Sequence, residues 1–375
     1  MIDINFFYDQ LIQHNVCFFT GVPDSLLKDF CAYITDNTKE KDHIIAVNEG
    51  AAAALAAGYH LATGKIPLVY MQNSGIGNAV NPLLSLADGD VYKIPMLLLV
   101  GWRGEPDKKD EPQHIKQGKV TCSLFDTMGI PYLILSDNEK DTLEQLNICY
   151  AHLKKENTPF ALIVKKDTFS RYLLSSKTTD EKSSLTRERA IEEIILASSQ
   201  QEVFISTTGM ASRELFELRE KFNMDHDKDF LTVGSMGHAS SLALSIALQK
   251  PNLSVTCIDG DGAALMHLGS MASIGERKPA NLRHIVLNNE AHDSVGGQPT
   301  IAGKIDLCGI ARSCGYKQIY FVKTKEELQI ALGDDQKPLF IEVHICKGNR
   351  KNLGRPDKTP IENKNAFMNY IRKWS

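Results

Sequence analysis

Ser254-Val255-Thr256-Cys257-Ile258 runs directly into Asp259-Gly260-Asp261-Gly262-Ala263-Ala264 and reads as a short apolar strand ending in a glycine-rich loop. Residues 263–287, twenty-five in all, separate Gly262 from Asn288. That length holds one helix and one more strand, read at His284–Leu287, whose end carries Asn288-Asn289-Glu290-Ala291-His292. A parallel crossover sets the two strand ends side by side. Asp261 and Asn289 can then meet at one cation. A carboxylate, an amide oxygen and a backbone carbonyl, here that of Ala291, are hard oxygen ligands. They suit Mg²⁺ that keeps phosphate oxygens in its other positions. Gly260 and Gly262, with Ala263 behind them, let backbone N–H groups close on a diphosphate. Gly-Asp-Gly alone is a plain turn; the spacing to the second strand end is what gives it meaning.

Outward from this point, apolar runs alternate with helical stretches along the whole chain. Strands are read at Val16–Thr20, His43–Val47, Pro67–Met71, Met96–Val100, Tyr132–Leu135 and Phe160–Val164. A second set falls at Val203–Ser206, Phe230–Val233, Ser254–Ile258, His284–Leu287, Ile319–Val322 and Leu339–Ile345. Helices at Ala51–Leu61, Ser240–Leu248 and Lys325–Leu332 lie between some of them. Near-continuous apolar strands followed by helices predict an α/β protein with two doubly wound parallel sheets covered on both faces. Ser175-Ser176-Lys177-Thr178-Thr179-Asp180-Glu181-Lys182-Ser183-Ser184 is polar and reads as a linker. The expected division is 1–174, a linker 175–187, and 188–375.

With 375 residues, 43% apolar and 23% charged, the chain is long enough for two cores and ordinary in composition. Lys plus Arg is 42 against 46 for Asp plus Glu, a formal net charge of −4. That balance has no basic excess for a phosphate backbone, so nucleic acid is not an expected partner. No apolar run reaches the ~18–20 residues of a membrane span. The start lacks a signal-peptide pattern. The 8 cysteines form no CxxC pair, which fits reduced thiols and a cytoplasmic location.

The Gly-Asp-Gly and Asn-Asn pair at this spacing resembles the cofactor signature of the thiamine-diphosphate-dependent enzymes. The first half carries His43-Ile44-Ile45-Ala46-Val47-Asn48-Glu49-Gly50 before an alanine-rich helix, which resembles that family's pyrimidine-domain motif. Glu49 sits where a strand meets a helix; without the companion signature it would be a carboxylate favouring a helix N-terminus. The resemblance implies a pyrimidine-binding domain first, a diphosphate-binding domain second and no middle domain. It implies thiamine diphosphate and Mg²⁺ as cofactors, with Glu49 hydrogen-bonding the aminopyrimidine ring to activate the cofactor. It places Asn73 on the next strand-end loop, and Thr208 and Gly209 near diphosphate. In Gly234-Ser235-Met236-Gly237, Gly234 would offer its carbonyl and Met236 would wedge between the two rings. It also implies a homo-oligomer whose active sites are shared between subunits.

Gly21-Val22-Pro23-Asp24-Ser25, Gly101-Trp102-Arg103-Gly104, Asp293-Ser294-Val295-Gly296-Gly297-Gln298-Pro299-Thr300 and Gly348–Pro356 resemble the phosphonopyruvate and sulfopyruvate decarboxylases. This narrows the expected substrate to a small anionic 2-oxo acid, with phosphonopyruvate first, going to phosphonoacetaldehyde and CO₂ in phosphonate biosynthesis. A single chain bearing both Glu49 and the metal signature is taken to favour the phosphonate enzyme. Ser25, Arg103, His292, Asp293, Arg350 and Arg355 are candidates for holding the substrate. Asp24 and His114 are candidates to move or orient a proton, or else a cap and a satisfied polar residue. Two other readings stand beside this one: a carboligase, and a cofactor-holding subunit without chemistry.

Overall fold

Each short apolar run finds a parallel partner, because the helices that follow return the chain to the same edge each time. The computed structural model describes residues 1–175 and 185–374. Most of the expected linker, 176–184, lies outside the described residues. Of the rest, Leu185 is buried and Arg187 already opens a helix. Two compact units form: the described residues through Ser175 together with Val295–Gln298, and Leu185–Ser294 together with 299–374.

The first unit contains β1 (Phe19–Gly21), β2 (His43–Ile45), β3 (Leu68–Gln72), β4 (Leu97–Gly101), β5 (Tyr132–Ile134) and β6 (Phe160–Val164). The second contains β7 (Glu202–Ser206), β8 (Asp229–Leu231), β9 (Ser254–Gly260), β10 (Leu282–Asn288), β11 (Gln318–Val322) and β12 (Leu339–His344). The first sheet has the order β2-β1-β3-β4-β6-β5, and the second β8-β7-β9-β10-β12-β11. Counted from the start of each half, the two orders are the same. All pairings are parallel. In each sheet the winding reverses beside its first strand, between β1 and β3 and between β7 and β9. Such a switch point leaves a crevice at the carboxyl ends of the strands.

Period-two alternation divides the core of the first unit. Leu97 and Leu99 of β4 join one cluster with Phe7, Phe30, Leu146 and Tyr150. Leu98 and Val100, the residues between and after them, join another with Ala52, Ala56, Ala79 and Phe125. Successive side chains of one strand thus feed two helical layers. In the second unit Phe204, Ile258, Ile285 and Ile341 pack under Ile191, Ile194, Leu215 and Leu328. Helix Ala239–Gln249 covers the opposite side of β7, β9 and β10.

Three expectations shift. The crossover from β9 to β10 holds two short helices, Asp261–Met266 and Ser270–Arg277, instead of one. His267 leaves helical geometry, at φ −131° and ψ 50°, and ends the first of them. β1 begins at Phe19 instead of Val16, since Asn15 turns the chain at φ 62° and only Phe19–Gly21 pairs on both sides. β8 pairs with β7 alone and stops at Leu231, leaving Val233 exposed.

Leu98→Ala and Leu99→Ala should each cost about 2–5 kcal/mol. Because the two side chains enter different layers, the double variant should lose nearly the sum of the two. Urea denaturation of the four proteins checks this; strong coupling between the two sites would contradict the two-layer packing.

Candidate active site

Asn48 sets the position of Glu49. Its Oδ1 accepts a hydrogen bond from the Ala51 N–H at 2.8 Å, so helix Glu49–Thr63 starts on the glutamate itself. Glu49 is buried, and its Oε2 accepts from Asn78 Nδ2 at 2.7 Å. A Cβ on Gly75 would stand 2.3 Å from Glu49 Oε1, so only glycine leaves room for this carboxylate. Burial pushes the Glu49 carboxyl above the usual range, and the Asn78 hydrogen bond opposes that rise.

A second cluster forms beyond β1, β3 and β4. Asp24 is 1% exposed, its Oδ2 accepts from the Leu26 N–H at 2.9 Å, and a Cβ on Gly101 would lie 2.2 Å from that oxygen. Burial raises the Asp24 carboxyl to about 6, against hydrogen bonds from the backbone and the nearby Arg103 charge. Arg103 grips Asp110 through one edge of its guanidinium, Nε to Oδ2 at 2.9 Å and Nη2 to Oδ1 at 2.5 Å, and gives Nη1 to Ser25 Oγ at 2.8 Å. Asp110 is partly desolvated, yet the Arg103 hydrogen bonds hold its carboxyl well below the usual range. His114 Nδ1 lies 3.1 Å from Asp110 Oδ1; burial lowers the His114 pKa and Asp110 works against that. Asn73 ties the group together, donating to the Arg103 carbonyl at 2.8 Å and to Thr121 Oγ1 at 2.9 Å.

In the second unit Gly260 of β9 pairs with Leu287 of β10, so Asp261 and Asn288 leave neighbouring strand ends. Asp261 is buried, and its Oδ2 accepts from Thr300 Oγ1 at 2.5 Å. Burial lifts its carboxyl to about 7, with the Asp293 charge adding to the rise and the Thr300 hydrogen bond opposing it. Asn289 Oδ1 accepts from the Ala291 N–H at 3.1 Å, and its Nδ2 donates to Asp293 Oδ2 at 2.5 Å. That Asp293 oxygen also accepts from Arg187 Nη1 at 3.3 Å and from the Gly348 N–H at 2.8 Å. A Cβ on Gly262 would fall 3.0 Å from His292 Cε1 and 3.4 Å from Met236 Cε, so both side chains converge on this loop. Burial drops the His292 pKa to about 4. Gly209, at φ 96° in the turn with Thr208, has open space where a Cβ would be. Gly234 is half-buried in the loop after β8, and Ala263 is buried on the helix that Asp261 begins.

Residues 4–124 match the family described as thiamine pyrophosphate enzyme, N-terminal TPP binding domain. Residues 207–343 match its C-terminal TPP binding domain. The chain belongs to the thiamine pyrophosphate enzymes. Phosphonopyruvate decarboxylase of Streptomyces viridochromogenes is 32% identical over 371 residues, spanning 94% of this chain and 90% of that one. The protein of the same name from Streptomyces hygroscopicus is 33% identical over 367 residues, spanning 93% and 89%. Sulfopyruvate decarboxylase of Methanosarcina acetivorans is 30% identical over 329 residues, spanning 81% and 80%. This last relative also spans both halves in one chain, so possession of both motifs does not by itself separate phosphonate from sulfonate enzymes.

The thiamine-enzyme signature fits the residues found at the second site. Asp261 is a buried carboxylate whose charged form a cation would stabilise, and its neighbours offer amide and carbonyl oxygens. Sequence reading missed the groups that hold the candidates in place. Asn78 lies five residues after Asn73, but its reach to Glu49 is a packing fact. Thr300 ends one of the strings that carry the resemblance but was given no role there; Asp110 and Arg187 carried no local signal. Arg350 goes elsewhere: its guanidinium is held by Glu188 and Glu217. Arg355 lies on an exposed stretch of the same segment.

Asp24 allows a test by pH. Its folded carboxyl titrates near 6 against an ordinary 3.8, so the folded state binds this proton more tightly than the unfolded one. The resulting stability is present below about pH 4 and is lost as pH rises through 6, on the order of 3 kcal/mol in all. Asp24→Asn removes this dependence. Its stability relative to the parent should therefore improve between pH 4 and pH 8 in urea titrations; a constant difference would refute the assignment.

Proposed function

We propose that this chain is a thiamine-diphosphate- and Mg²⁺-dependent decarboxylase that converts 3-phosphonopyruvate to phosphonoacetaldehyde and CO₂. The observation that carries the reading is Glu49: a buried carboxylate at a helix start, in a slot that only a glycine at 75 leaves open. Bound thiamine diphosphate supplies the electron sink for loss of CO₂. Glu49 would hold the aminopyrimidine ring nitrogen, and its dry surroundings strengthen that hydrogen bond. Asn73 fixes the loop beside it. Asp261, Asn289 and the Ala291 carbonyl would hold Mg²⁺. Gly260, Gly262, Ala263, Thr208 and Gly209 would line the diphosphate, and Gly234 and Met236 would shape the bent cofactor. The pyrimidine-binding domain is then 1–174 and the diphosphate-binding domain 188–375.

The two phosphonopyruvate decarboxylase relatives, each matched over more than nine-tenths of this chain, support the substrate. Arg103 and Ser25, with His114 alongside, are the cationic and hydrogen-bonding groups that would meet its anionic end. Arg103 is already balanced by Asp110, so this pair orients more than it attracts. Asp24, with its carboxyl near 6, is suited to return a proton after CO₂ leaves. Asp293 holds Asn289 and Arg187, which makes it a support for the metal loop; His292 remains a candidate for the substrate side. Arg355 keeps its place as a substrate candidate, whereas Arg350 is committed to two carboxylates. The working form would be a cytoplasmic homo-oligomer with active sites shared between subunits.

Rates of CO₂ release from phosphonopyruvate, sulfopyruvate and pyruvate, compared with saturating thiamine diphosphate and Mg²⁺, test the proposal. Phosphonopyruvate should lead by more than about tenfold. A lead for sulfopyruvate would replace the substrate, and no release from any of them would remove the activity. Glu49→Gln should cut turnover by about 10²–10⁴-fold with cofactor affinity nearly kept. Asp261→Ala should instead raise the thiamine diphosphate and Mg²⁺ needed for half-maximal rate.

A further inference from the structure

Beneath the proposed Mg²⁺ loop, on the opposite face of the sheet from Ile258 and Ile285, lie three buried side chains with different donor atoms. Cys257 and Asp259 are two apart on β9 and so project to the same face. His284 of β10 is the direct cross-strand partner of Cys257. The sulfur, a carboxylate oxygen and a ring nitrogen lie within 4.8 Å of one another, the one such group among the described residues. Cys257 and Asp259 are 0% exposed and His284 is 1% exposed.

Two of the three donors have no hydrogen-bond partner, Asp259 Oδ2 and His284 Nε2. They face each other at 3.6 Å, too far for a hydrogen bond. That separation is close to the edge of a tetrahedron built on metal–ligand bonds of about 2.0–2.3 Å. The other ring nitrogen, His284 Nδ1, is fixed 3.0 Å from the Tyr316 hydroxyl. An outer-shell hydrogen bond of this kind orients a ligating histidine. Phe340 packs edge-on against the same imidazole and excludes water from it.

We propose that Cys257, Asp259 and His284 form a second metal site, distinct from the all-oxygen site at Asp261 and Asn289, that takes a borderline divalent ion of the Zn²⁺ type. A thiolate, a carboxylate and a neutral imidazole carry two negative charges, which Zn²⁺ cancels in a place where an uncompensated charge is costly. Mg²⁺ does not compete, because it avoids sulfur. Binding releases the Cys257 thiol proton to solvent. The ion would brace the strand end that carries Asp261 two residues further on.

The test uses the full chain with saturating Mg²⁺ and thiamine diphosphate, so that the oxygen site is filled. Co²⁺ is added both to the native protein and during refolding from urea. One Co²⁺ per chain should bind, with thiolate-to-cobalt charge-transfer absorption. Cys257→Ser should abolish that absorption and weaken binding at least tenfold, whereas Cys17→Ser should retain both. X-ray absorption of the zinc-loaded parent protein should give one sulfur and otherwise nitrogen or oxygen neighbours, a readout that needs no variant. A parent protein without the thiolate band after refolding, a band that survives Cys257→Ser, or a zinc shell without sulfur or with several sulfurs would each overturn the site.

Discussion

Glu49 and Asp24 in the first unit and Asp261 in the second are carboxylates taken out of water at the carboxyl ends of parallel strands, and much of what surrounds them answers the cost of that desolvation. Each receives at least one hydrogen bond suited to a negative charge: Asn78 to Glu49, the Leu26 amide to Asp24, Thr300 to Asp261. None has a cation in direct contact among the described residues, and each carboxyl is raised. A group held this way responds strongly to a cofactor ring, a metal ion or a substrate brought beside it. Asp110 is the contrast. Gripped by Arg103, it stays ionised and serves to position its neighbours.

Glycines make this burial possible. Gly75 and Gly101 sit where any side chain would collide with Glu49 or Asp24. Gly101 ends β4, which is paired on both sides, and Gly75 closes the short 3-10 turn that follows β3. The strands cannot move aside, so the space must come from the missing Cβ. The second unit works differently. Its metal loop is braced through Asp293, which gathers Asn289, Arg187 and the Gly348 amide around one oxygen. Segments far apart in sequence thereby fix one side-chain amide.

Much of this was legible beforehand. All twelve strands were readable as short apolar runs; central ones such as β4, β6, β7 and β10 are buried on both faces and have no polar side to display. Gly-Asp-Gly and Asn-Asn pointed to adjacent strand ends, and the register of β9 on β10 places them there. The shortfalls have local causes. A strand boundary depends on where a partner stops, which the strand's own residues do not encode. The basic stretch around Arg350 reads as free cations until Glu188 and Glu217 are seen beside it. A single chain leans toward the phosphonate enzyme without deciding it: several sulfopyruvate decarboxylase relatives are split into two subunits, but one undivided relative matches most of this sequence.

Sequence alone determined the class of fold, the repeated α/β halves and the thiamine pyrophosphate family, because these rest on periodicity and on motifs spaced within one crossover. Tertiary structure decided which side chains support the motif residues. Asn78 on Glu49, Ser25 on Arg103, Thr300 on Asp261, and Cys257 and Asp259 facing His284 each join residues from different elements. Their meeting depends on sheet order, strand register and the face each residue occupies, and those quantities exist only once the strands have paired.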